Sequence, residues 1–151
     1  MAGPAPAPRA RRTRRADAED AELWLDGGHN ADGGRILAAA MADLGERSDA
    51  PLVLIVGLLG TKDAEGFLKN FVGLARSLIA VPITGQVAAR PAEEVAEIAR
   101  TVGLAAEVAP SVEAAVVSLS DTVFQRPPRV LICGSLYLAG AVLEANGTIP
   151  V

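Results

Sequence analysis

The chain is poor in the residues that build metal centres and redox sites. It has one cysteine, Cys133, and one histidine, His29, among 151 residues. One cysteine excludes an intramolecular disulfide and a cysteine-based zinc cluster, and one histidine argues against a His-rich metal site. No metal ligands are assigned. Aromatics are scarce as well, with three Phe, one Trp and one Tyr. No apolar run reaches the ~18 residues that suggest a membrane span. No apolar segment follows the N-terminal arginines, so the start does not read as a secretory signal. A cytoplasmic protein with no membrane partner is expected. Two nucleotide signatures are also missing. There is no G-x-G-x-x-G in register and no Walker A sequence, so a self-contained NAD or ATP site is not supported.

Charge is unevenly placed. Residues 1–15 hold five arginines and no acid, which leaves nine basic side chains against all eighteen acids in the rest, a formal −9. A body that acidic is a poor general binder of nucleic acid, and no nucleic-acid partner is expected. Residues 1–20 are rich in Ala, Pro and Arg without periodicity, and are expected to be a disordered tail. An anionic partner, a targeting role and a solvated tail without a role all remain open for the arginines. Residues 21–151 form the expected domain.

What is abundant is Ala, Val, Leu and Ile, a composition that suits helices packed on a buried parallel sheet. Strands are expected at 22–26, 51–57, 77–83, 129–134 and, weakly, 106–110. The apolar spacing predicts helices over 34–45, 63–76, 91–103, 111–124 and 135–147. Gly45 and Gly103 are placed as stops, Pro91 at a first helical position and Ser111 as a cap. Ile36, Leu37, Met41 and Leu44 should share the buried side of the first helix. Five β-α repeats make an α/β, three-layer, doubly wound domain with a mostly parallel sheet. Ligands collect at the carboxyl ends of such strands, so the loops after Asp26, Gly57, Ile83 and Cys133 matter most.

Three of those loops carry chemistry. In "DGGHNADGG", glycines let the backbone turn sharply and approach a ligand. Asp26 is a carboxylate at a strand tip, suited to sugar hydroxyls. His29 can donate to an anion or shuttle a proton. Asn30 or Asp32 can instead cap the next helix. Asp26 and His29 are expected to face an open cleft and to add little stability. In "GLLGTKD", Lys62 can reach a phosphate, and Asp63 can orient it or cap a helix. In "CGSLYLAG", Gly134 and Ser135 lie between the last strand and the last helix, where free N–H groups make an anion site. Tyr137 and Leu138 read as packing residues. Each loop also has a plain structural explanation as a tight turn or a capped helix.

Taken together and in order, "LWLDGGHNADGGR", "VGLLGTKD" and "VLICGSLYLAG" resemble the C-terminal domain of the folylpolyglutamate synthase/dihydrofolate synthase family. That family belongs to the Mur-ligase superfamily, with a Rossmann-like C-terminal domain. The likeness runs from about Glu22 to about Asn146. Gly28 and Ala31 stand where the family usually has Ala and Pro. The resemblance implies an ATP-dependent ligase that adds L-glutamate to dihydropteroate or folate through an acyl phosphate, with Mg²⁺ held mainly by a central ATPase domain. It implies Asp26 and Asn30 on the nucleotide, and His29 as the catalytic residue beside the reacting phosphate and glutamate. Ser135 with Gly134 would hold a glutamate carboxylate, and Lys62 and Asp63 would shape the cleft. The family's larger N-terminal domain and its W-x-G-R-x-Q segment have no match here, so the fragment is expected to be inactive alone. A stand-alone flavodoxin-like module for a small anion or a protein is the competing possibility.

Overall fold

The computed structural model describes residues 11–14, 22–60 and 63–135, together with 138, 140 and 142. The elements are β1 (Arg11–Arg14), β2 (Glu22–Leu25), α1 (Ala31–Arg47), β3 (Leu52–Val56), α2 (Ala64–Leu68) with a 3-10 turn (Lys69–Phe71), β4 (Ser77–Ala80), α3 (Ala92–Val102), β5 (Ala106–Val108), α4 (Val112–Ser120) and β6 (Arg129–Cys133). The sheet order is β1-β2-β6-β3-β4-β5. Five strands run parallel, and β1 joins β2 antiparallel at the edge. The α/β class with a mostly parallel sheet is as expected. The tail is a correction at one place. Arg11–Arg14 is a strand paired with Glu22–Leu25, because the β2 edge offers an unpaired row of N–H and C=O groups. Residues 1–10 and 15–21 lie outside the described residues.

Side-chain alternation explains the layers. Trp24, Leu54, Val56, Leu78, Ala80, Leu131 and Cys133 turn to one face and pack with α1, α2 and α3. Leu23, Leu25, Ile55, Ile79, Val130 and Ile132 turn to the other, against α4, Leu138 and Val142. Both faces are therefore covered, and β3 and β6 are buried along their whole length, as continuous apolar runs require.

Helix ends follow their caps. Asn30 accepts from Gly33 N–H and starts α1 three residues before the apolar pattern. Gly45 does not stop α1, which runs on to Arg47. Leu37 and Met41 are buried, but Ile36 is 44% exposed, so the buried side is narrower than the spacing implied. Gly103 ends α3 at φ +111, and Ser111 caps α4. Pro91 is the cap of α3 rather than its first residue. The helix expected over 63–76 is only α2 and its 3-10 turn, since Val72 is extended and Gly73 turns the chain at φ +82. Phe67, Leu68 and Phe71 are still fully buried.

Candidate functional site

The topology creates a crevice. The connections leaving β2 and β3 run through α1 and α2 on one face. The chain leaving β6, which lies between those strands, goes to the opposite face through Leu138 and Val142. Neighbouring strands thus send their connections apart at the carboxyl ends of β2, β6 and β3, the place where open α/β sheets bind ligands.

Asp26 stands at the tip of β2. Its N–H donates to Ile132 O at 3.0 Å, extending the ladder by one residue. Its Oδ1 accepts from Gly28 N–H at 2.7 Å. The carboxylate is only 4% exposed. The expectation of an open, weakly supported side chain is corrected here: Asp26 is part of the packed sheet end. It continues the Trp24 face, one place beyond the Leu25–Ile132 pair, and so lies beside Cys133. Burial pushes the Cys133 thiol well above its usual value, and the Asp26 carboxylate pushes it further. Both effects disfavour a thiolate.

His29 is half-buried, and its Nδ1 lies 3.1 Å from Gly27 O. A carbonyl cannot donate, so Nδ1 must carry the proton. In the neutral ring Nε2 is then the acceptor. Asn30 follows with its Oδ1 2.7 Å from Gly33 N–H, so the capping option is realised for that oxygen.

The third loop closes on the first. Gly134 N–H donates to Gly28 O at 2.9 Å. The notion that Gly134 offers a free N–H is therefore corrected, because that donor already serves a carbonyl. Gly134 has φ +106, and a Cβ there would collide with the Gly57 carbonyl. Glycine is needed for both reasons. Ser135 is buried beside it. In the second loop, Asp63 accepts from Gly66 N–H at 2.9 Å and caps α2. Lys62 lies outside the described residues, as does Tyr137. Leu138 is buried in the core, as a packing residue should be.

Residues 11–145 match the family model described as the dihydrofolate synthetase C-terminal domain. The chain belongs to this family. Solved structures of folylpolyglutamate synthases share its fold. The Mycobacterium tuberculosis enzyme complexed with ADP is 24% identical, with a TM-score of 0.79, over 93% of this chain and 32% of that one. The E. coli enzyme in complex with DHPP and ADP is 21% identical, with a TM-score of 0.69, over 83% and 28%. The Thermotoga maritima enzyme is 19% identical, with a TM-score of 0.69, over 93% and 31%. The chain thus spans about a third of these enzymes. No curated protein sequence matches it.

The chain also holds residues that the motifs did not single out. Arg90 donates to Gly60 O at 3.1 Å, and the backbone joins Gly60 to Ala88 and Arg90 to Leu58. This short ribbon steadies the loop that leads to Lys62 and Asp63. Asn70 reaches from the middle of the 3-10 turn to α1. Neither has a sequence signal, because each partner lies 30 or more positions away. Among the described residues, no helix is long and apolar enough to cross a membrane.

Proposed function

We propose that the chain is the glutamate-side domain of an ATP-dependent ligase that joins L-glutamate to dihydropteroate or a folate. A substrate carboxylate oxygen attacks the γ-phosphorus of ATP, ADP leaves, and an acyl phosphate forms. The glutamate amine then attacks the acyl carbon, phosphate leaves with the C–O bond, and the amine gives up a proton. The driving steps are positioning and charge stabilisation.

One observation carries this reading. The buried Asp26 carboxylate, held by Gly28 N–H, adjoins the Gly28–Gly134 contact in the β2–β6 crevice. Asp26 would accept from ribose hydroxyls, and Asn30 would add its amide N–H to the nucleotide. His29 Nε2 would act at the phosphate and the incoming amine. Ser135 would hold a glutamate carboxylate, while Gly134 shapes the turn beside it. Lys62 and Asp63 would border the same cleft, with Asp63 also capping α2. The M. tuberculosis and E. coli relatives crystallised with ADP support a nucleotide here.

Mg²⁺ fits this chain poorly. Among the described residues, no group of three or more His, Cys, Asp or Glu is placed to hold a metal ion. In this reading an ATPase domain would hold the cation, which would offset charge on the transferring phosphate. Reactants must be held between two domains, so this chain by itself should not turn over.

The test is a chimera in which residues 11–145 replace the matching third of the M. tuberculosis enzyme. ADP formation that depends on glutamate and dihydropteroate is expected. His29→Ala should lower kcat/KM by about 100-fold or more, the scale of losing one positioned polar group. Turnover by the isolated 151-residue chain, or an unaffected His29→Ala chimera, would overturn the assignment.

A further inference from the structure

Asn70 is the middle residue of the 3-10 turn after α2 and has no part in the reaction described above. Its Nδ2 lies 2.9 Å from Gly66 O and 3.2 Å from Phe67 O, both within its own helical segment. The same nitrogen lies 3.2 Å from Ala31 O, 39 positions away. Ala31 is the first residue of α1, one after the cap Asn30 and two after His29.

The packing around this contact has no slack. A Cβ at Gly34 would sit 2.9 Å from both Asn70 Nδ2 and Phe67 O, and a Cβ at Gly66 would come within 3.1 Å of Ala31 Cβ. The first turns of α1 and α2 therefore meet at glycines, and the Asn70 amide fills the crossing. The His29 turn is thus held at two ends. Upstream, Asp26 and Gly28 are tied to Ile132 and Gly134 of the sheet end. Downstream, the Asn30 cap is internal to α1 and moves with it. Asn70 adds a side-chain hydrogen bond from the neighbouring helical segment to that first turn, beside the close packing of the two helices.

We infer that Asn70 is a positioning residue for His29, fixing the start of α1 so that the imidazole keeps its Nδ1 bond to Gly27 O. The bond spans only two residues, so a small shift of the α1 start relative to Gly27 breaks it. The ring then loses its fixed tautomer, and Nε2 is no longer reserved as the acceptor. This rests on the proposed role of His29 and adds the residue that holds it.

The test uses the chain itself, because one histidine gives one set of imidazole signals. Histidine-selective ¹⁵N labelling reports the tautomer of the neutral ring. In the parent protein the Nδ1–H form should dominate. Asn70→Ala and Asn70→Ser both lose the reach to Ala31 O, and each should cut the ratio of Nδ1–H to Nε2–H by about two-fold or more. Val95→Ala, a core truncation in α3, controls for general loss of stability and should leave the ratio unchanged. If Asn70→Ala does not fold, Asn70→Ser decides. A ratio in the folded Asn70 variants equal to that of Val95→Ala overturns the inference. ADP added to the parent protein tests the function separately: a failure to shift the His29 signals counts against nucleotide binding and leaves the tautomer comparison standing.

Discussion

Gly134 donates its N–H to the Gly28 carbonyl across 2.9 Å, which makes the turns after β6 and β2 one hydrogen-bonded unit. At the ends of those two strands, level with each other, sit Asp26 and Cys133. The site is therefore built as an extension of the sheet rather than as loose loops, and its parts should respond to mutation like core.

Gly134→Ala is the sharpest case. The residue needs φ +106, and its Cβ would strike the Gly57 carbonyl. Strain and overpacking together should cost about 2 kcal/mol or more. Gly45→Ala is the opposite case, since α1 continues through Gly45 and a Cβ there meets nothing within 4 Å. It should gain roughly 0.5–1 kcal/mol. Urea unfolding of both variants decides; equal effects would contradict this account of the turn.

Asp26→Ala should destabilise the chain more than His29→Ala. Asp26 is 4% exposed and accepts from a buried N–H, so its loss strands a donor at about 1–3 kcal/mol. The half-buried His29 ring should cost less than about 1 kcal/mol. Chemical denaturation of the two variants checks the order.

Cys133 predicts an alkaline weakness. Its thiol is raised in the folded protein by burial and by Asp26, so the native state keeps the proton that the unfolded chain gives up. This contribution is whole below the unfolded thiol value of about 8.5, and above it stability should fall by about 1.4 kcal/mol per pH unit. The Cys133→Ala protein should lose that extra slope. The parent thiol should also resist alkylation until the protein unfolds.

At the opposite end of the sheet, Arg129 is buried and its Nε donates to Glu22 Oε2 at 3.2 Å. Glu22→Ala leaves a buried cation and should cost about 2 kcal/mol or more, whereas Arg129→Met leaves a partly exposed carboxylate that water can reach and should cost less. Melting temperatures of the pair test this asymmetry.

The sequence made the layers legible because β3 and β6 are continuous apolar runs and the helices are punctuated by Asn30, Gly103 and Ser111. It misplaced the end of the helix after Asp63, since Gly73 turns the chain while apolar spacing continues past it. It missed the Arg11–Arg14 strand, whose reason lies in the partner edge of Glu22–Leu25 rather than in its own composition. The site motifs were legible as a set of loops at strand tips. Their exposure was not, because burial of Asp26 follows from the β2–β6 register. Contacts such as Asn70 with Ala31 join distant segments and leave no local pattern.

The proposed function requires a nucleotide-binding wall at the carboxyl ends of β2 and β6. Amide NMR of the ¹⁵N-labelled chain with ADP at about 5 mM, enough to reveal weak half-site binding, tests it most directly. Shifts should gather at Gly27, Gly28, His29, Asn30, Gly134 and Ser135, and be lost in Asp26→Asn. Shifts gathered instead around Glu22 and Arg129, or no shifts at all, would contradict it.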